Sequence, residues 1–278
     1  RDVERSRGLG DVYKRQNHKY ENLIYDSSRL ENLGSVLFEE QKDKNGNSFC
    51  CYCMRRLFLN DTEDKHKKNI TYEHIVPHKI KYNEWQSDKA HYLKFSNLNK
   101  KHIAVCFEGK LTNAQKKVKI TGMPYPHFVS YHNLVASCNG ATFEDKTLVN
   151  SHCCNNNRQE RFVMPIYLSP DLVNGISYTS KGELDYDDSV YDCSWFDKKH
   201  LNLTNSWITL VRRIWCKISK SGYTDIDVEM ARNDKNLRQN IIDDVDSNNE
   251  ISSWADNDIA WNLFSEYNWF YNYYKSRP

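Results

Sequence analysis

The amino-acid sequence predicts an α+β fold: a small β-containing core with a zinc-binding cysteine site, a lysine-rich insertion, and a helical C-terminal region. Three observations carry this expectation. Cysteines gather in two separated groups, Cys50-x-x-Cys53 and Cys138 with Cys153-Cys154, and a short β-prone segment at residues 70–76 lies between them. From Leu203 onward the apolar spacing becomes helical, with Trp207, Leu210, Val211, Ile214, Trp215 and Ile218 on one face. Hydrophobic residues make up 39% of the 278 positions and aromatics 13%, enough for a packed core, while a mean hydropathy of −0.82 marks a polar chain.

In chain order, the elements follow from local patterning. Residues 1–16, RDVERSRGLGDVYKRQ, resemble translated sequencing-adapter text and carry no initiator Met, so they are expected to be non-native. Residues 28–42 predict a helix: Ser27 or Ser28 can cap it, and Leu30, Leu33, Val36 and Leu37 share a face. Asn45-Gly46-Asn47 is a turn that ends it. Residues 49–59 hold the first cysteine pair, expected on a hairpin, and residues 60–69 are charged and loop-like. Residues 70–76 read as a strand that Pro77 ends or diverts.

Residues 79–131 read as an insertion. It carries Lys79, Lys81, Lys89, Lys94, Lys100, Lys101, Lys110, Lys116, Lys117 and Lys119 among Tyr82, Trp85, Tyr92, Phe95 and Phe107. Basic and aromatic side chains together suit a nucleic-acid grip, and equally an ordinary lysine-rich surface over a small core. Residues 150–158 form a polar second knuckle expected to feed a helix. Tyr178, Lys181-Gly182 and Leu184 predict a hairpin with glycine in the turn. Helices are expected over 204–219, 225–245 and 256–275. The composition changes near residue 163, dividing a core region, 17–162, from a hairpin-plus-helix region, 163–278.

Composition narrows the function classes. No apolar run approaches the roughly 18 residues of a membrane span. Nine cysteines, an odd number with adjacent pairs and no apolar leader, predict metal binding in a reducing, cytoplasmic compartment rather than disulfides. The net charge of +2 hides an asymmetry. Residues 17–162 carry 22 basic against 16 acidic side chains, and residues 163–278 carry 12 against 18. The motif-bearing half is therefore the one a phosphate backbone would favour. The acidic, aromatic-rich half suits a protein-docking surface, unless its tryptophans simply fill a helical core.

Two residues between Cys50 and Cys53 let both thiolates reach one ion, and a second cysteine group about a hundred residues later can close a tetrahedron. Cys138 is the third expected ligand, and Cys153 and Cys154 compete for the fourth place. Cys51 is expected to be a packed thiol, and Cys106, Cys193 and Cys216 core residues.

The sequence Glu73-His74-Ile75-Val76-Pro77, followed by His132-Asn133-Leu134, Cys138 and Cys154-Asn155-x-x-Arg158, resembles the HNH (His-Me finger, ββα-metal) endonucleases. The resemblance implies a ββα-metal core, a β-hairpin and a helix gripping one Mg²⁺ or Mn²⁺. It implies that Glu73 and Asn155 ligate that ion, that His74 is the general base, and that Asn133 orients it. His132 ranks below Asn133 for that position, and His78, His127 and His152 are expected to be structural or substrate-contacting. The resemblance places Arg158 toward a phosphate and favours Cys154 over Cys153 as the fourth zinc ligand. The separation of His74 and Asn133, 59 positions, exceeds the compact core of such enzymes.

The chemistry suits these residue types. Hydrolysis needs a deprotonated water, which an imidazole of near-neutral pKa can supply. A carboxylate and an amide oxygen hold a hard ion sparsely, leaving room for phosphate and water. Neighbouring residues on a regular strand face opposite sides, so Glu73 and His74 share a site only at an irregular strand end, which Pro77 supplies.

Further similarity lies in Tyr52-Cys53-Met54-Arg55-Arg56-Leu57, in Tyr178 with Lys181-Gly182, and in Leu201-Asn202-Leu203 with Leu210 and Arg213. These look like the HNH branch that accompanies ATPases in retron-linked and Septu-type anti-phage defence. That likeness implies a DNA-cutting subunit gated by an ATPase partner. Two other readings stand beside it: an inactive zinc-scaffolded module that binds nucleic acid or protein, and a stand-alone restriction or mobile-element nuclease.

Overall fold

Helices alternate with small two-stranded sheets in a computed structural model that describes residues 31–63, 66–95, 103–104, 125–127, 133–150, 152–158, 161–168, 173–187 and 193–277. The elements are α1 (Glu31–Glu40), β1 (Ile70–His74), α2 (Tyr82–Phe95), β2 (Ile103–Ala104), β3 (Tyr125–Pro126), β4 (Leu134–Cys138), β5 (Thr142–Glu144), β6 (Thr147–Val149) and α3 (Cys154–Arg158). There follow β7 (Ile176–Tyr178), β8 (Leu184–Tyr186), α4 (Ser206–Lys220), α5 (Asp225–Met230), α6 (Lys235–Val245), α7 (Asp258–Ser265) and α8 (Trp269–Lys275). The fold is α+β. Residues 1–16, the expected caps Ser27 and Ser28, Cys106, His132 and most of the insertion's lysines lie outside the described residues.

β1 and β4 are antiparallel, with Glu73 opposite Val135, Thr71 opposite Ser137 and Ile70 opposite Cys138. The other backbone edge of β4 is closed by a side chain. Gln41 Oε1 accepts from Ala136 N at 2.7 Å, while its Nε2 donates to the carbonyls of Ala136 and Phe49, both at 3.0 Å. One glutamine at the end of α1 thus does at this edge what a neighbouring strand would do.

α4 follows the apolar spacing of its sequence. Asn205 caps it by accepting from Ile208 N at 2.9 Å, and Trp207, Val211, Ile214, Trp215 and Ile218 are buried. The helices expected over 225–245 and 256–275 are each broken in two. At the first break Asp234 caps α6 by accepting from Asn236 N and Leu237 N. Arg238, wholly buried, donates to the carbonyls of Ala231, Arg232 and Ala255 and so satisfies backbone groups that the break exposes. At the second break the Glu266 carbonyl accepts from Arg56 N at 2.7 Å, beside the first cysteine pair.

That second break also anchors the two halves of the chain to each other. Arg55 Nε donates to Glu266 Oε2 at 2.6 Å, and Asn69 Nδ2 donates to the same oxygen at 3.2 Å. Arg55 Nη1 reaches Asn139 Oδ1 at 2.9 Å. His66 lies between Glu229, 2.8 Å from its Nε2, and Arg232, 2.9 Å from its Nδ1. A continuous buried cluster runs from Leu37 to Tyr274, so residues on both sides of position 163 share one core. Trp207, Trp215 and Trp261 fill that core.

The β7–β8 hairpin turns at Gly182, whose φ is +80°. A Cβ there would lie 2.0 Å from the Thr209 carbonyl of α4, so the hairpin rests on the helix backbone itself. Gly182→Ala combines a left-handed backbone with a clash against backbone, and is expected to cost about 3 kcal/mol or more. Denaturant unfolding of the two proteins measures it; equal midpoints would contradict this packing.

Candidate functional site

A tight reversal builds the first cysteine knuckle. Isolated bridges pair Lys42 with Ser48 and Phe49 with Arg56, and Cys50 N donates to Arg55 O at 2.8 Å. Met54 takes φ +61° and donates its N–H to Cys50 O at 3.1 Å. A non-glycine residue in this region costs on the order of 1–3 kcal/mol, which the surroundings of the knuckle must offset.

The second knuckle begins where β4 ends, at Cys138. Gly140, at φ +74°, turns the chain so closely over Cys153 that a Cβ would lie 2.2 Å from the Cys153 carbonyl. Cys153 N donates to Gly140 O at 3.2 Å, and Cys154 N to Leu201 O at 2.9 Å. Cys154 has φ +53° and starts α3.

Cys50, Cys53, Cys138 and Cys154 converge, with all four Sγ atoms buried and within 4.8 Å of one another. Cys50 and Cys154 are 3.8 Å apart, and Cys53 and Cys138 3.7 Å. A tetrahedron with metal–sulfur bonds of about 2.3 Å has edges of about 3.8 Å. The four thiols can hold a metal ion such as zinc. The neighbouring S–H groups, Cys153 foremost, hold Cys138 well below the usual thiol range, whereas burial chiefly pushes Cys53 and Cys154 well above it. Against the burial that opposes it, hydrogen bonds with Cys154, Cys51 and Cys53 bring Cys50 down as well, to about 5, so the cluster holds thiolate character ready for an incoming cation. The Cys153 thiol points to Gly140 O at 3.4 Å and is outside the four, so Cys154 completes the set. Cys51 is buried but also outside it.

Glu73 lies at the end of β1 and is 3% exposed. Its Oε2 accepts from Arg158 Nη2, which also donates to His74 O at 2.6 Å, while Arg158 Nη1 donates to Ile75 O at 3.3 Å. Arg158 is therefore turned inward onto Glu73 and the strand end, in place of the phosphate-facing role expected of it. Burial pushes the Glu73 carboxyl up to about 7, against the opposing pull of Arg158. Glu73 Oε1 is buried without a hydrogen-bond partner.

Asn155, on α3, donates from Nδ2 to Thr71 Oγ1 at 3.2 Å, which ties the helix to the face of β1 that also carries Glu73. His74 is half-buried, its ring stacked on His78 at 5.9 Å between centroids and 22° between planes. Asn133, expected to orient His74, bonds the backbone beyond it. Its Oδ1 accepts from Val76 N at 2.8 Å, and its Nδ2 donates to Val76 O at 2.9 Å and His127 O at 2.8 Å.

His127 is fully buried, and its Nε2 faces the carbonyls of Pro77 at 3.0 Å and His78 at 3.2 Å. Two carbonyl partners require the proton on Nε2. Burial lowers the His127 pKa to about 4, so the ring is a neutral donor at physiological pH. Asn133 and His127 together clamp residues 76–78, directly after the expected base.

No protein-family model, curated protein or solved structure matches this chain. No helix among the described residues is long and apolar enough to cross a membrane. At Glu73 one carboxylate oxygen is taken by the Arg158 guanidinium and the other is left without a partner. A buried carboxylate oxygen without a partner is an atom that a cation would satisfy, and Asn155 supplies an amide oxygen of the type hard ions accept. Sequence patterning left out Gln41, Thr71 and Ser137 and gave His127 no definite role. Thr71 was recoverable in principle, because it stands two residues before Glu73 and so shares its strand face.

Two expectations follow for purified protein. Metal analysis should give about one zinc per chain. Cys154→Ser should lose it, and Cys153→Ser should keep it; equal zinc loss in both variants would contradict the arrangement. For Arg158→Met the sign runs through Glu73, whose folded pKa already exceeds its unfolded value and would rise further without the guanidinium. Stability from this group is full below the unfolded value, near pH 4.5, and falls as pH climbs through about 7. The variant should therefore lose about 3–5 kcal/mol at pH 8 and less at pH 6, measured by denaturant unfolding at both. A loss independent of pH would show that the two side chains are not coupled.

Proposed function

We propose that the protein is a zinc-stapled, metal-dependent HNH endonuclease that hydrolyses DNA phosphodiester bonds and serves as the nuclease subunit of an ATPase-partnered anti-phage complex. One observation supports the reading above others. Glu73 and His74 end a strand whose antiparallel partner opens just after Asn133 and ends at Cys138, and Asn155 lies on the short helix that Cys154 begins.

In this reading Glu73 and Asn155 hold a Mg²⁺ or Mn²⁺. When bound, that ion supplies neutralisation of charge on the phosphate and its leaving oxygen. His74 accepts the proton of the attacking water, and its position at a half-buried strand end leaves part of the ring open to solvent. Arg158 fixes the peptide carbonyls of His74 and Ile75, and Asn133 and His127 fix the next three residues. The backbone of the base and of the four residues after it is thus held, which favours a single orientation toward the water.

Two features bear on partners. The basic residues 17–162 suit DNA, and the acidic residues 163–278 suit a protein. Because the large tryptophans are buried, an ATPase would meet exposed apolar side chains such as Ile226 and Met230 on α5 and Ile259 on α7. A second reading, an inactive binding module, draws on the Arg158–Glu73 pair, since that carboxylate already has a counter-cation.

Supercoiled-plasmid nicking with and without Mg²⁺ separates the two. The wild-type protein should nick only with the ion. His74→Ala should lower the rate by ~10²–10⁴-fold and leave DNA binding largely intact. Undiminished nicking by His74→Ala would place the base elsewhere, and a wild-type protein that binds DNA without cutting it would favour the binding module.

A further inference from the structure

We propose that Thr71 and Ser137 are positioning residues that set Asn155 against Glu73 for a divalent cation. The inference rests on the nuclease reading and concerns residues which that reading leaves without a role. Thr71 and Ser137 are directly opposite each other on β1 and β4. Their hydroxyls are 3.0 Å apart, and Thr71 Oγ1 also lies 3.1 Å from Cys138 O and 3.3 Å from Ser137 O. Asn155 Nδ2 donates to that same Thr71 oxygen at 3.2 Å. Ser137 is close enough to the Glu73 carboxylate to help hold its pKa down.

A polar row therefore runs Asn155–Thr71–Ser137–Glu73 across one face of the strand pair, hydrogen-bonded from Asn155 to Ser137 and with Glu73 next on the same strand face. Both of its ends are groups that a hard ion accepts, and both of its middle members are hydroxyls. Ser137 is wholly buried and Thr71 half-buried, so water does not substitute freely for either.

The direction of the hydrogen bonds gives the row its purpose. Asn155 spends its amide protons on Thr71, which requires the NH₂ side of the amide to face the strand. The carbonyl oxygen, in the same plane, is then turned away from Thr71, and a flip would lose that hydrogen bond. Thr71 accepts from Asn155, so its own proton goes to a carbonyl of β4 or to Ser137. The hydroxyl of Ser137 can then serve the carboxylate. Positioning groups of this kind behind metal ligands typically change metal affinity by 10–100-fold. The bland alternative is that the Asn155–Thr71 bond only fastens α3 to the sheet. It predicts a change in stability alone.

The test is direct Mn²⁺ binding to zinc-loaded protein, read by the loss of the free-ion EPR signal, alongside thermal melting. Glu73→Gln defines the site, because binding that survives it occurs elsewhere. Thr71→Val and Ser137→Ala should each weaken the Glu73-dependent binding by about tenfold or more, and Thr71→Ser, which keeps the hydroxyl, should stay within about twofold of wild type. Should Thr71→Val prove too unstable to titrate, Ser137→Ala and Thr71→Ser decide the matter. Wild-type affinity in a folded Thr71→Val or Ser137→Ala, with or without a lower Tm, overturns the positioning role and leaves the nuclease reading standing. If wild-type protein shows no Glu73-dependent Mn²⁺ binding, the divalent-ion site falls, and the positioning role with it.

Discussion

Four sulfur atoms gathered in a dry interior are the constraint on which the rest of this fold depends. Thiols make weak hydrogen bonds, and the geometry that brings these four to tetrahedral edges is costly: Met54 and Cys154 hold left-handed backbone, and Gly140 lies almost on Cys153. A metal ion held by the four would convert that cost into cohesion, because ligation energies in such sites reach on the order of 10 kcal/mol. The four ligands come from a turn, a strand end and a helix start. Fixing them fixes the relative placement of the knuckle, β4 and α3, and through β4 the register of β1.

Charge is handled in the interior by pairing rather than by exclusion. Arg55 and Glu266 are both nearly inaccessible and bind each other, with Asn69, Asn139, His66 and Arg232 around them. Such a cluster gains little net stability over apolar packing, yet removing one member leaves a charge stranded. It therefore acts as a specifying contact: the C-terminal helices can dock against the cysteine knuckle in the one way that satisfies every member. Arg158 and Glu73 follow the same logic at the strand end, but there the carboxylate keeps one oxygen unpaired.

The metal ligands were the most legible part of the sequence, because two thiolates with two residues between them have few other uses. The choice of Cys154 over Cys153 depended on likeness to a motif until the fold supplied a cause, the Gly140 turn that directs the Cys153 thiol to a carbonyl. The α4 helix was legible because its own apolar spacing determines it. The breaks within 225–245 and 256–275 were not: the Asp234 cap at the first is a local signal that continuous helical spacing masks, and the cause at the second is distant, the Arg56 N–H bonding the Glu266 carbonyl. Gln41 was equally invisible, since nothing in its neighbourhood says that it will stand in for a strand. Motif order alone suggested that Glu73 and Asn155 share a site, and the fold ties Asn155 to Thr71 on the strand face that carries Glu73, whereas the inward turn of Arg158 needed the packing of α3 against β1 to appear.

The strand pair at the centre of the site is joined by a long excursion rather than by a turn. Chain entropy makes a long connection cheap to close: doubling a flexible one costs only about 0.6 kcal/mol. Asn133 and His127 clamp the far end of the excursion to residues 76–78, where it leaves the core, so its two mouths are pinned together. Trp85 and Tyr92 of α2 pack on Phe162, so a change of length in this excursion leaves the cysteine cluster and the Glu73 strand in place only where α2 keeps that contact. The architecture thus holds its two central strands in register by contacts at the mouths of a long connection rather than by the length of that connection.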